Sequence, residues 1–220
     1  MKNALVIGVD GTIGRALLSG LKADFNVTGI SRKNTDYSSA SLATIAGQVE
    51  QPVQLIICCI GVLHNEALTP EKNLKHVSEQ QLLDYFRVNS VLPMLCMQAF
   101  VPLLDKTQTS VYLNLSAMVG SIEDNRLGGW YGYRSSKAAL NMLTKTTAIE
   151  TARTNKQACV ATIHPGTTKS AMSKPFSGSV EESKYYSPEQ SAERIINVAG
   201  ELSARDTGRF FNWNGEQLPW

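Results

Sequence analysis

A short apolar run, Ala4-Leu5-Val6-Ile7, passes at once into Gly8-Val9-Asp10-Gly11-Thr12-Ile13-Gly14 and then Arg15-Ala16-Leu17-Leu18. A continuous apolar run of this length reads as a strand buried on both faces. Strand, glycine turn, helix is the context in which spaced glycines carry meaning. Such a turn lets backbone N–H groups and a helix N-terminus approach a pyrophosphate. The bland alternative is a tight turn with no ligand, and it leaves the fold argument unchanged. A strand feeding a helix through a tight turn, if repeated, commits a chain to a parallel sheet with helices on its faces.

The pattern repeats. Val27 to Ile30, Val53 to Gly61, Ser110 to Ser116, Cys159 to His164 and Arg209 to Trp213 read as further strands. Thr35-Asp36-Tyr37 reads as a short third strand, making about seven in all. Helices are expected over Leu42 to Glu50 and from Ser78, where Glu79-Gln80-Gln81 gives capping-box character. The second of these runs to Leu104 through a kink at Pro93. Another helix covers Ala138 to Ile149 and extends back over Tyr133, and one opens at Ser187-Pro188-Glu189. Residues 62 to 77 read as an exposed loop. Thr167 to Ser187 lacks periodicity and is long for an idle connection, so it reads as a lid. These elements give an α/β, doubly wound parallel sheet flanked by helices, in a single domain spanning residues 1–220.

Composition narrows the partners. A net charge of +2 without a dense basic run argues against nucleic acid. No apolar stretch reads as long enough to span a membrane, and Met1-Lys2-Asn3 leads into a strand instead of a signal peptide. Cys58, Cys59, Cys96 and Cys159 match no metal or disulfide spacing and read as reduced, buried thiols of a cytoplasmic protein. His64 and His76 make no metal site by their spacing, so no metal is expected.

Ser31-Arg32-Lys33 follows the second strand. An acidic residue there would accept the ribose 2′-hydroxyl of NAD, whereas an Arg accommodates the 2′-phosphate of NADP. NADP is therefore expected, with NADPH preferred over NADH. Tyr133 and Lys137 stand four apart, on one helix face and one turn from each other. A nearby ammonium favours tyrosinate, and bringing a phenol from about 10 to about 7 takes roughly 4 kcal/mol. Asn89 lies mid-helix and matters only if the helix bulges to expose a carbonyl.

Together these parts resemble the short-chain dehydrogenase/reductase family, with its single-domain Rossmann-type fold, over essentially the whole chain. The residues that carry the resemblance are Gly8-x-x-Gly11-x-x-Gly14, Asn89, a Ser ending the fifth strand, Tyr133-x-x-x-Lys137 and Pro165-Gly166. The stretches Tyr133-Arg134, Ser136 to Asn141, His164 to Thr167, Ser173 to Phe176, Gly208-Arg209-Phe210 and Pro219-Trp220 are similar to the C-factor-like and sniffer-like carbonyl reductase branch.

The resemblance implies catalytic roles for Tyr133 as proton donor or acceptor and for Lys137, which lowers the Tyr pKa and binds ribose. It implies that Ser116 or a neighbour polarises the carbonyl and that Asn89 holds a relay water through its backbone. Cofactor contacts are implied for Gly8, Asp10, Gly11, Thr12, Ile13, Gly14, Ser31, Arg32, Asp36, Gly61, Pro165, Gly166 and Thr168, besides Tyr133 and Lys137. The expected activity is NADP-dependent reduction of an aldehyde, ketone or quinone to an alcohol, by a homo-oligomer (dimer or tetramer). A cofactor-binding signalling protein with little turnover is the alternative.

Three departures stand out. Thr12 replaces a usual Gly; Cys58-Cys59-Ile60-Gly61 replaces Asn-Asn-Ala-Gly; and Asn114-Leu115-Ser116-Ala117 puts Ala117 where the catalytic Ser usually stands. Ser116 and Ser121 are the candidate replacements, with Ser116 favoured.

Overall fold

A computed structural model describes residues 1–179 and 181–220. Val180, inside the expected lid, lies outside the described residues.

Six parallel strands form one sheet: β1 (Lys2–Ile7), β2 (Phe25–Ile30), β3 (Leu55–Cys58), β4 (Ser110–Leu115), β5 (Ala158–His164) and a last strand, Phe210–Asn212. The 167–187 segment adds a two-residue pair, β6 (Thr167–Thr168) with β7 (Tyr185–Tyr186), so Phe210–Asn212 is β8. The order across the main sheet is β2-β1-β3-β4-β5-β8. Successive side chains along a strand face opposite ways, and both faces are apolar. Val6, Ile57, Leu113 and Ala161 pack with α1 (Thr12–Gly20) and α6 (Pro188–Glu201) through Leu17 and Ile195. Ile7, Ile56, Tyr112 and Val160 pack with α2 (Ser39–Ala46), α4 (Leu92–Phe100) and α5 (Tyr131–Thr154) through Leu42, Phe100 and Ala148. Because both faces are covered, the buried parts of the strands are continuous apolar runs, as residues 4–7 of β1 and the whole of β3 are.

Caps fix the helix starts. Ser38 Oγ accepts from Ser41 N at 3.2 Å for α2, and Ser78 Oγ accepts from Gln81 N at 3.3 Å for α3 (Glu79–Phe86). Ser187 and Gln190 form a reciprocal capping box for α6, with Pro188 opening the helix.

Four expectations need correction. Thr35-Asp36-Tyr37 is not a strand, so the main sheet has six strands and not seven. Thr35 N donates to Ser31 O at 3.1 Å, Tyr37 N donates to Thr35 Oγ1 at 2.9 Å, and Tyr37 has φ +59°. Side-chain-to-backbone bonding there outcompetes a ladder. The second helix is Ser39–Ala46, not Leu42 to Glu50, because Ser38 caps it earlier. Residues 62–77 are not uniformly exposed: Leu63, Leu68 and Glu71 are buried, and Leu74–His76 forms a 3₁₀ turn. Finally, the helical run Glu79–Leu103 is long and apolar enough by composition to cross a membrane. Here it lies in a helical layer of the fold, with Cys96, Met97 and Phe100 packed in the core.

Candidate active site

The sheet order reverses between β1 and β3, since the chain leaves β1 towards β2 and returns on the other side. In open α/β sheets, ligands bind beyond the carboxyl ends of the strands at such a point. A cleft of about 170 Å³ lies there. Gly11 to Gly14 line one part of it, and Ser116, Tyr133 and Lys137 another.

The glycine turn is sterically compelled. Gly8 has φ +88°, open to glycine but strained for other residues. A Cβ on Gly14 would run into the Gly8 carbonyl oxygen, so only glycine lets α1 start this close to β1. Gly11 N donates to Gly8 O at 3.0 Å, and Thr12 is the first residue of α1. Asp10 is half-buried in the turn. Ser31 is buried with Oγ accepting from Lys33 N at 3.2 Å, whereas Arg32 and Lys33 are exposed. Asp36 is exposed and accepts from Ser38 N at 2.9 Å. Hydrogen bonds from the Ser41 hydroxyl first, then from Ser38, lower its carboxyl to about 2.

Gly61 follows β3 where two candidate site side chains converge. A Cβ there would lie 3.0 Å from Lys137 Nζ and 3.4 Å from Asn89 Oδ1. Asn89 sits in a π-helical turn, Arg87–Val91, between α3 and α4. Leu92 N donates to Arg87 O, closing the wider turn. Pro93 stands four residues after Asn89 and has no N–H, so the Asn89 carbonyl lacks its α-helical donor. The fully buried Asn89 side chain ties elements together. Its Oδ1 accepts from Val62 N at 2.8 Å, and its Nδ2 donates to Val62 O and Ser136 Oγ, both at 3.0 Å.

Lys137 is buried and donates from Nζ to Leu115 O at 3.0 Å, at the end of β4. Burial strips water from its ammonium and lowers it to about 8, partly offset by Cys58 and Cys59. Tyr133 departs from expectation. Burial pushes its phenol above the ordinary value, not towards neutrality. The one-turn spacing from Lys137 is present, but desolvation of the phenol dominates.

Ser116 lines the cleft, and its hydroxyl donates to Asn141 Oδ1 at 2.7 Å. Ser121 is not among the residues lining this cleft. It donates to Trp220 O at 3.1 Å and accepts from Asp124 N at 3.0 Å. Pro165 and Thr168 line the cleft. Gly166, with φ +77°, backs against Tyr186 and Trp213, where a Cβ would meet both rings at 3.1 Å.

Sequence reasoning missed the aromatic wall beside Tyr133. Trp130 meets the Tyr133 ring edge-on at 6.2 Å and Phe176, from the 167–187 segment, at 5.1 Å. Phe176 meets His64 at 5.5 Å, and His64 Nε2 donates to Ala171 O at 3.1 Å. The positive φ of Gly128, Gly129 and Trp130 turns the chain into α5. The Gly-Gly pair was the available signal. Asn141 and Glu71 gave none.

His164, just before Pro165, has a buried Nδ1 with no partner among the described residues. Burial lowers it to about 4. The unfolded chain takes up this proton near pH 6.5, and the native one only near pH 4. The stability that neutral His164 preserves is therefore present above about pH 6.5 and lost as pH falls towards 4. Urea melts at pH 7, 5.5 and 4.5 are expected to show a fall that His164→Gln lessens. An unchanged pH slope in that variant removes His164 as the cause.

The residues present fit a dinucleotide. The glycines leave a cradle that a Cβ at Gly14 would destroy, and an exposed Arg32 stands at the end of β2.

The short chain dehydrogenase family model matches residues 34–180. The 1-hydroxy-2-glutathionyl-2-methyl-3-butene dehydrogenase of Rhodococcus sp. (strain AD45) is 32% identical over 134 residues, 60% of this chain and 56% of that protein. The chain thus spans little more than half the length of that relative. C-signal of Myxococcus xanthus is 28% identical over 135 residues, 61% of this chain and 76% of that protein. Among solved structures, NADPH-bound carbonyl reductase from chicken fatty liver superposes with a TM-score of 0.83 at 23% identity, covering 100% of this chain and 99% of that one. That likeness carries the fold. With the family match extending over two thirds of its length, the chain belongs to the short-chain dehydrogenase/reductase family of oxidoreductases.

Proposed function

We propose that the chain is an NADPH-dependent carbonyl reductase that converts an aldehyde, ketone or quinone to an alcohol. The observation that carries this reading is the single cleft lined by the glycine turn, Tyr133 and Lys137. Gly11 to Gly14 would hold the pyrophosphate, Arg32 the 2′-phosphate, and Lys137 the nicotinamide ribose. The nicotinamide supplies the hydride; the chain positions and protonates.

Tyr133 is the proton donor. The phenol is protonated at neutral pH, as a donor must be, and it would deliver its proton to the carbonyl oxygen as that oxygen becomes alkoxide. At about 8, Lys137 is still mainly a cation at neutral pH and favours the tyrosinate left behind. The Asn89 carbonyl, relieved of its helical donor by Pro93, is available to hold a relay water. Ser116 would donate to the carbonyl oxygen after its hydroxyl turns from Asn141.

That commitment to Asn141, and the likeness to C-signal, favour a second reading: a signalling protein that binds cofactor with little turnover. NADPH with a panel of aldehydes, quinones and diketones separates the two. Steady consumption on any of them supports the reductase; saturable NADPH binding without consumption supports signalling. We place the protein in the cytoplasm as a homo-oligomer. Exposed Leu83 of α3, Val91 of the turn that follows it, and Met142 and Ile149 of α5 suit subunit pairing.

Arg32→Asp is expected to weaken NADPH binding about 10–10²-fold, since hydrogen bonds to charged groups contribute about 1.5–3 kcal/mol. NADH binding should hold or improve. Fluorescence titration checks this, and equal native affinity for the two cofactors counts against the assignment.

A further inference from the structure

We propose that Glu71 is a positioning residue for the reaction: reaching in from the 62–77 segment, its buried carboxylate caps the helix that carries Tyr133 and sets the geometry of the Trp130–Tyr133 corner. This rests on the reductase reading only for its effect on rate.

A helix N-terminus carries unsatisfied N–H groups and a positive end of the dipole. At α5 these needs are poorly met from within. Trp130, its N-cap, is in the left-handed region with φ +52° and supplies no side-chain hydrogen bond, and the first turn contains no acid. Glu71 meets them from another part of the chain. Its main-chain oxygen accepts from Trp130 N at 2.5 Å, and its Oε2 accepts from Gly132 N at 3.1 Å. One residue thus grips both positions that flank Tyr131, using backbone and side chain together.

The site is built around this grip. Glu71 is only 1% exposed. Its Oε1 is buried with no hydrogen-bond partner among the described residues. A carboxylate held so has a single strong outlet, the helix start. A Cβ on Gly132 would come within 2.9 Å of Oε1 and collide with the Tyr85 ring, so glycine is what lets the carboxylate approach. Tyr85 is itself fixed, donating to Leu63 O at 2.7 Å, and its ring packs edge-on against Tyr133 at 6.2 Å. The strained Trp130 backbone then directs its indole at Tyr133 on one side and Phe176 of the lid on the other. Tyr133 follows Gly132 directly. Slack at Gly132 therefore reaches the phenol within one residue.

The test compares Glu71→Ala and Glu71→Gln with the native protein. Misplacement by about 1 Å costs up to about 10²-fold in rate, so Glu71→Ala is expected to lower kcat about 10–10²-fold. NADPH affinity should stay within about twofold, because the glycine turn and Arg32 lie on other elements and Lys137, further along α5, is held by its own bond to Leu115 O. Glu71→Gln keeps an oxygen to accept from Gly132 N and should return kcat to within about threefold of native. A fluorotyrosine at position 133 gives a readout independent of turnover: its fluorine resonance should shift or broaden in Glu71→Ala and return in Glu71→Gln. If the native protein reduces no carbonyl, the reductase reading fails, yet that resonance still decides Glu71. A native resonance in Glu71→Ala overturns the proposal. So does a parallel loss of kcat, NADPH affinity and melting temperature in both variants, which would mark a general structural role.

Discussion

Tyr133→Phe is expected to remove turnover while leaving NADPH binding in place. General acid–base groups contribute about 10²–10⁴-fold in rate, and the loss should fall on kcat. The ring contacts of Tyr133 with Trp130 and Tyr85 need no hydroxyl, so Phe keeps the aromatic corner and isolates the proton. Lys137→Ala should instead damage both rate and cofactor affinity. It removes the ammonium that meets Leu115 O and leaves that buried carbonyl oxygen without this donor. Steady-state kinetics beside fluorescence titration separate the two patterns. Native activity in Tyr133→Phe on the best substrate found would remove the phenol from the mechanism.

Ser116→Ala carries the second large effect. Losing one preorganised donor to a developing oxyanion costs about 2.7–4 kcal/mol, or about 10²–10³-fold in kcat. Ser121→Ala should change kcat by less than about tenfold, because this hydroxyl is engaged with Trp220 O and Asp124 N outside the residues that line the cleft. A reversed ranking would reassign the donor to Ser121. Indifference to both changes would mean that no side-chain hydroxyl polarises the carbonyl, and the signalling reading would gain.

The strands were legible because both sheet faces are covered, which turns each central strand into an apolar run such as Leu55–Cys58. The glycine turn was legible because its steric demand is local. Thr35 to Tyr37 misled because a β-branched residue and a Tyr look like strand, while the Thr35 hydroxyl and a positive φ at Tyr37 made a turn. The Tyr133–Lys137 spacing was readable, yet the direction of the Tyr133 pKa was not. That direction depends on burial, to which the Tyr85 ring, 48 residues earlier in the chain, contributes beside that of neighbouring Trp130. Glu71 and Asn141 stayed hidden for the same reason. Each bonds across a long sequence interval, to Gly132 and Ser116 respectively, and nothing in its local pattern announces the partner.

The wide turn at Arg87–Val91 is also a phase setting. One residue more or less in that turn rotates everything downstream by about 100°. The stripe of Cys96, Met97 and Phe100 faces the sheet in the present phase. Deleting a single residue there, and so restoring a regular helix, would swing that stripe away from the strands. The site therefore inherits protection from the core: losses that would straighten the helix and displace Asn89 from Val62 and Ser136 are penalised as packing failures. Length in this segment should be far less free to drift among relatives than residue identity.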